Sequence, residues 1–374
     1  MKAKNVFVLI ALLCALLLVA CNGDSNEIAG DNDGSSNGNS GQSEEAGFVG
    51  ISMPTQSSAR WISDGNNLVE QLEALGFRTT LQYAEDIVEN QVAQIENMIA
   101  QGVDILVIAA VDGGALTSVL AQAAEENIYV IAYDRLIMNS EHVSYYATFD
   151  NLGVGVMQGE FIVNALGINA GATGPFNVEL FAGAPDDNNA HFFFDGAMSV
   201  LRPYIESGVI HILSQQDTME QVATIRWNAA YAQSRMENLL TANFQDVRVD
   251  AILSPYDGLT LGIISALRGA GYGTSEQPWP IITGQDALVP AIISIRAEEQ
   301  TQTIFKDTRI LASRTVDMIN ALLNGESATV NDTETYDNGM IIVPTYLIEP
   351  IEVTIDNWYE VLVSSGFYTE DELE

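Results

Sequence analysis

The chain has 374 residues, 47% hydrophobic and 8% aromatic, enough apolar material for a sizeable core and too much for a disordered polymer. Its 14 Lys+Arg against 50 Asp+Glu give a formal charge of −36, which argues against nucleic acid or an anionic membrane as partner. Length alone suggests two or three domains.

Lys2 and Lys4 precede the apolar stretch Val6–Ala20, which is short for a bilayer span but suits the core of a signal peptide. The ending "LVAC" (18–21) resembles a bacterial lipobox. That resemblance implies cleavage of a signal peptide, 1–20, and lipidation of Cys21. Cys14 would leave with the signal, so no disulfide or thiol chemistry is expected. After Cys21, "NGDSNEIAGDNDGSSNGNSGQSEEAG" cannot build a core. Residues 21–47 are therefore expected to form a flexible acidic tether with a reach of roughly 25–30 Å.

From Phe48 the chain alternates short apolar runs with helical periodicity. "FVGISM" (48–53) reads as a strand and 61–75 as a helix with Leu68, Leu72 and Leu75 on one face. "RTTLQY" (78–83) is a strand, followed by a helix through "VAQIENMIAQG" that Gly102 caps. "DILVIAAV" (104–111) has the continuous apolarity of a parallel strand buried on both faces. A helix over 114–126 and the strand "YVIAYD" (129–134) complete a βαβαβαβ pattern, the mark of a doubly wound parallel sheet.

After "YYATFDN" (145–151) the alternation restarts. It predicts helices over 151–166, 189–205, 220–242 and 258–270, with strands "FNVELFAG" (176–183), "VIHILS" (209–214), "AILS" (251–254) and "PIITG" (280–284). Two α/β lobes of similar size follow. "TQTIFK" (301–306) with a helix over 308–324 is one more βα unit, which the alternation alone does not assign to a lobe. The tail carries the strand-like "MIIVPTYLI" and is expected to end in an acidic helix.

Three apolar runs end on an aspartate: "VIAYDR" (130–135), "AILSPYDG" (251–258) and "PIITGQDA" (280–287). In open parallel sheets ligands bind beyond the carboxyl ends of the strands, so Asp134, Asp257 and Asp286 are placed to face one crevice. A carboxylate only accepts hydrogen bonds, whereas Arg135 only donates, and together they suit a polyol or sugar. Each aspartate could instead cap the helix after it. Flat rings cover the apolar faces of a pyranose. Trp61, after Arg60 and the first strand, Trp227 in "TIRWNAA" and Tyr256 beside Asp257 are candidates, though a lone tryptophan in an α/β protein more often serves the core, and the place after the first strand favours Trp61. In "GAPDDNNAHFFFDG" (183–196), Asn188 and Asn189 offer amides that match hydroxyls, or an Asx turn. Lys306 is a further donor at a strand end.

Other chemistries lack their signatures. His142, His191 and His211 are scattered without metal-ligand spacing, so no metal is expected. The G-x-S-x-G elbow and the phosphate loop are absent, and "GVGVMQG" (153–159) lacks dinucleotide spacing, so no cofactor is expected. Nothing separates an acid from a nucleophile among the carboxylates, as glycoside hydrolysis requires. A DNA-binding regulator would need an N-terminal helix-turn-helix, where a signal peptide stands instead.

"SSARWISDGNN", "QIENMIAQGVDILVIAA", "VIAYDR", "GAPDDNNA", "SPYDG", "TGQDA" and "TIFKDTR" together resemble the xylose-binding and multiple-monosaccharide-binding proteins of ABC transporters. The resemblance covers 48–374. It implies a type I periplasmic-binding fold: two doubly wound parallel-sheet lobes, joined by a multi-strand hinge and closing on a sugar. The lobes would comprise 48–149 with 288–335, and 150–287 with 336–374. Carried over by motif, Arg60, Trp61, Asp134 and Arg135 would bind from the first lobe. Asn188 or Asn189, Trp227, Tyr256, Asp257 and Asp286 would bind from the second, with Lys306 near the hinge. Tyr256 replaces the asparagine of the xylose-type "SND" turn, so specificity should differ from that of xylose receptors. The resemblance further implies a non-enzymatic monomer, lipid-anchored outside the cell membrane, delivering an aldose such as xylose, glucose, galactose or arabinose to an ABC permease. The alternative is a receptor that signals to a membrane sensor kinase or chemoreceptor.

Overall fold

A computed structural model describes residues 47–374; the expected signal peptide, Cys21 and nearly all of the tether lie outside the described residues. Continuous apolar runs make the central strands. β1 (Phe48–Met53) and β3 (Ile105–Ile108) are buried at every position, because helices cover both faces of their sheet. Between and after them come α1 (Ala59–Ala74), β2 (Arg78–Tyr83), α2 (Val88–Ala100), α3 (Thr117–Glu125), β4 (Tyr129–Tyr133) and β5 (Tyr145–Phe149). The second half runs α4 (Asn151–Ala165), β6 (Phe176–Leu180), α5 (Asn188–Glu206), β7 (Ile210–His211), α6 (Met219–Val222), α7 (Ala229–Asn243), β8 (Ala251–Leu253), α8 (Asp257–Gly269) and β9 (Ile281–Ile282). It closes with α9 (Val289–Arg296), β10 (Thr303–Phe305), α10 (Thr308–Leu323), β11 (Thr345–Ile348) and β12 (Ile351–Val353).

The strands form two parallel sheets. The first has the order β11-β5-β4-β3-β1-β2 and the second β7-β6-β8-β9. A parallel bridge from Gln285 to Ile304 extends the second sheet to β10, which pairs antiparallel with β12. The chain therefore passes between lobes three times: after Phe149, between Phe305 and Thr308, and between Ile348 and Ile351. Two of these crossings differ from the expected places near 288 and 336. α9 packs on α8 and β10 joins the second sheet, so 288–306 stands with the second lobe. Only α10, packed on α1, and β11, paired to β5, return to the first. A buried βα unit has the same pattern in either lobe, and pairing decides where it goes.

The helix expected over 220–242 is broken. A capping box at Thr218 starts the short α6, and the Asn228 side chain accepts from Ala230 N at 2.9 Å to start α7 afresh. Between them Arg226 (φ 56°) and Trp227 (φ 52°) take left-handed backbone, which turns the indole inward. The expected C-terminal helix is a π turn over Tyr359–Ser364 followed by a 3-10 turn over Asp371–Leu373. In the second lobe α4 lies directly on α5: a Cβ on Gly155 would stand 2.0 Å from the Phe193 carbonyl oxygen. That contact fixes the helix that carries Asn189 and Phe193.

Candidate functional site

The carboxyl ends of both sheets open on a cavity of about 1190 Å³ lined by residues of both lobes. From the first lobe, α1 turns two kinds of residue inward. Leu68 and Leu72 enter the core, while Arg60 and Trp61, about two to three turns earlier, line the cavity. β4 ends on Asp134 in left-handed backbone (φ 59°), a conformation aspartate tolerates better than most residues. This flip sends the carboxylate into the cavity and the Asp134 carbonyl the other way. There the carbonyl accepts from Tyr146 Oη at 2.5 Å, Thr148 Oγ1 at 3.0 Å and Asn189 Nδ2 at 2.7 Å. Asn189 belongs to the second lobe, so this carbonyl joins the two.

From the second lobe, Asp286 repeats the device (φ 87°). Its Oδ1 lies 3.1 Å from Lys306 Nζ and 3.3 Å from Arg60 Nη1. Among the described residues, six of the eleven non-glycine residues with positive φ line the cavity: Glu85, Asp86, Asp134, Arg226, Trp227 and Asp286. Unfavourable backbone of this kind persists where surrounding structure holds it and gathers at functional sites.

The aromatic lining is built with equal care for space. Trp227 lies so close on Gly183 that a Cβ there would stand 2.0 Å from its ring. The indole Nε1 donates to Asp187 Oδ2 at 3.2 Å, and the ring meets Tyr256 and Phe193 edge-on, with centroids 5.9 and 6.3 Å apart. Trp61 is nearly enclosed, and its ring carries the Arg60 and Arg135 guanidinium groups at 5.0 and 5.1 Å. It supports two donors rather than offering a bare face.

Charge is concentrated and matched. Arg60 reaches Asp64 through Nε at 3.2 Å, Asp286 through Nη1 and Asp134 through Nη2. Burial alone would pull its pKa down, but Asp134, Asp286 and Asp64 hold it well above the ordinary value, so it stays charged. Burial likewise pushes the Asp134 carboxyl up, and Arg60, Lys306 and Arg135 overcome that and hold it below the usual range. Lys306 is buried over the rings of Phe149 and Phe193, at 5.6 and 5.5 Å. Such an array of ionised donors and acceptors around apolar rings can grip a small polyhydroxylated molecule by charge-assisted hydrogen bonds.

Of the residues singled out in the sequence, Arg60, Trp61, Asp134, Arg135, Asn189, Trp227, Tyr256, Asp286 and Lys306 line this cavity. Asn188 does not; it is the first residue of α5 and only half-buried. Asp257 is a correction. It is fully enclosed inside the second lobe, where it accepts from Leu288 N at 2.9 Å, Gln300 Nε2 at 2.8 Å and Thr303 Oγ1 at 3.0 Å. Tyr256, one residue earlier, takes the cavity-facing place. The sequence reading missed Asp187, which pairs with Arg135 Nε at 3.0 Å across the lobes and caps α5 by accepting from Asn189 N at 3.0 Å. Its signal was present: an aspartate just ahead of a helix start, in a loop already marked for Asx turns. Phe193 was missed because an aromatic inside a helix reads as core. Among the described residues no group of three or more His, Cys, Asp or Glu could hold a metal.

A family model described as "Periplasmic binding protein domain" matches residues 49–327. The chain is 60% identical over 322 residues to the multiple sugar-binding periplasmic protein SbpA of Azospirillum brasilense, covering 86% of this chain and 90% of that protein. It is 57% identical over 330 residues to the multiple sugar-binding periplasmic receptor ChvE of Rhizobium radiobacter, covering 88% and 93%. An ABC-transporter solute-binding protein from Clostridium phytofermentans, solved with bound β-D-glucose, superposes with a TM-score of 0.84 at 47% identity, covering 87% of this chain and all of that one. These relatives are substrate-binding proteins, not enzymes. With two parallel α/β lobes about one cleft, the chain belongs to the type I periplasmic binding protein family.

Proposed function

We propose that the chain is an extracytoplasmic receptor that binds a monosaccharide, an aldose of the glucose, galactose, arabinose or xylose type, between its two lobes. The observation that carries this reading is the meeting of Arg60 and Lys306 with Asp134 and Asp286 at the carboxyl ends of both sheets, flanked by Trp227 and Tyr256. Sugar hydroxyls donate to the carboxylates and accept from Arg60, Arg135 and Lys306, while the rings cover C–H faces. Binding then draws the lobes together, because each lobe contributes only part of the set. The relatives' names favour delivery to an ABC permease, and the word receptor in one of them favours signalling to a membrane sensor as well. Lipid anchoring through Cys21 belongs to the same reading.

The test is thermal unfolding of the purified protein with a panel of aldoses. A ligand at about 100 times its Kd adds roughly 2.7 kcal/mol of stability, which raises Tm by several degrees. A rise with one or more aldoses supports the proposal, and no rise with any of them contradicts it.

A further inference from the structure

Behind Arg60 lies a buried acid that the sugar site does not use. Asp64 and Tyr133 are both fully enclosed, and neither lines the cavity. Tyr133 Oη donates to Asp64 Oδ1 at 2.5 Å, and Asp64 Oδ2 stands 3.2 Å from Arg60 Nε, one turn away on the same helix. The guanidinium is thus divided: Nε faces the pair behind, while Nη1 and Nη2 face Asp286 and Asp134 in the cavity. Of the two front carboxylates, Asp286 comes from the other lobe, so its hold on Arg60 depends on closure, and Asp134, on Arg60's own lobe, faces whatever occupies the cleft. Asp64 sits on Arg60's own helix and depends on neither.

Resting on the reading of the cleft as a sugar site, we propose that Asp64 and Tyr133 are positioning residues that aim Arg60 at the sugar, so that ionised Asp64 raises sugar affinity without touching the ligand. The groups facing Asp64 are Arg60 on α1, Tyr133 and Asp134 at the end of β4, Tyr83 on β2 and Asp286 from the second lobe. Burial pushes the Asp64 carboxyl up to about 7, with Arg60 and the Tyr133 hydroxyl opposing the rise and Asp134 and Asp286 adding to it. The charge behind Arg60 is therefore present above neutral pH and lost below it. A fixed guanidinium loses less freedom on binding than a loose one, which is how a residue outside the site sets affinity.

The experiment pairs two readouts on the whole protein. Calorimetric titration with D-glucose, D-galactose, L-arabinose and D-xylose from pH 5.5 to 8.5 should show affinity for the preferred aldose rising about tenfold through neutrality. Asp64→Asn should stay near the low-pH affinity at every pH, and Tyr133→Phe should move the midpoint upward. The second readout, the ¹⁵N signal of Arg60 Nε, should titrate with the same midpoint in the wild-type protein and not in Asp64→Asn. Wild-type affinity and pH profile in Asp64→Asn, or an Nε signal that does not titrate, would overturn the proposal. If Asp64→Asn does not fold, Tyr133→Phe decides by its midpoint. If the Nε signal behaves as expected while no aldose binds at any pH, the sugar reading is what fails.

Discussion

Asp134 and Asp257 each end an apolar run, yet their carboxylates have opposite surroundings. Asp134 turns into the cavity among Arg60, Lys306 and Arg135, and stays ionised. Asp257 turns into the second lobe and takes three donors from Leu288, Gln300 and Thr303. Asp257→Ala leaves those buried donors without an acceptor and should cost about 2–4 kcal/mol in denaturant unfolding, with sugar affinity changing less than about threefold. Burial, against those hydrogen bonds, raises Asp257 from 3.8 to about 7. Between those values the folded chain keeps a proton that the unfolded chain has lost. The resulting stability is full below about pH 4 and lost as pH rises to about 7. Unfolding midpoints measured from pH 4 to 8 should therefore fall less in Asp257→Asn than in the wild-type protein.

At the scale of elements, most strands and helices of the first lobe were legible, because buried parallel strands are uninterrupted apolar runs and their helices keep one apolar face. Two things were not. The break between α6 and α7 falls in "TIRWNAA", without proline or glycine, and is held by the Asn228 cap and by the place Trp227 finds against Gly183. The lobe of α9 and β10 depends on which strand β10 pairs with, which composition does not record. The site shows the same limit: strand-end charges pointed to the crevice, but which of Tyr256 and Asp257 faces it is set by how α8 begins. Gly183→Ala tests the aromatic wall. A methyl group where 2.0 Å is available must displace the Trp227 ring, and sugar affinity should drop about tenfold or more by calorimetry while the fold, read by circular dichroism, persists.

For the whole molecule, several contacts span the lobes: Arg60 with Asp286, Arg135 with Asp187, Asn189 with the Asp134 carbonyl and Ser58 Oγ with Tyr256 Oη at 3.4 Å. Three short crossings allow the lobes to hinge, and contacts of this kind set the closed position. Sugar should reduce the radius of gyration seen by small-angle scattering. Asp187→Asn, which weakens the Arg135 pair and the Trp227 hydrogen bond together, should require roughly 5–30 times more sugar for the same change. An unchanged sugar requirement would mean that this pair takes no part in closure.

The central claim is that the charged strand ends bind a monosaccharide, and calorimetric titration of wild-type protein and Asp134→Ala with D-glucose, D-galactose, L-arabinose and D-xylose tests it most directly. We expect saturable one-to-one binding of at least one aldose by the wild-type protein, and a loss of roughly 30-fold or more in affinity in folded Asp134→Ala. Equal affinity in the two proteins, or no heat from any aldose, would contradict it.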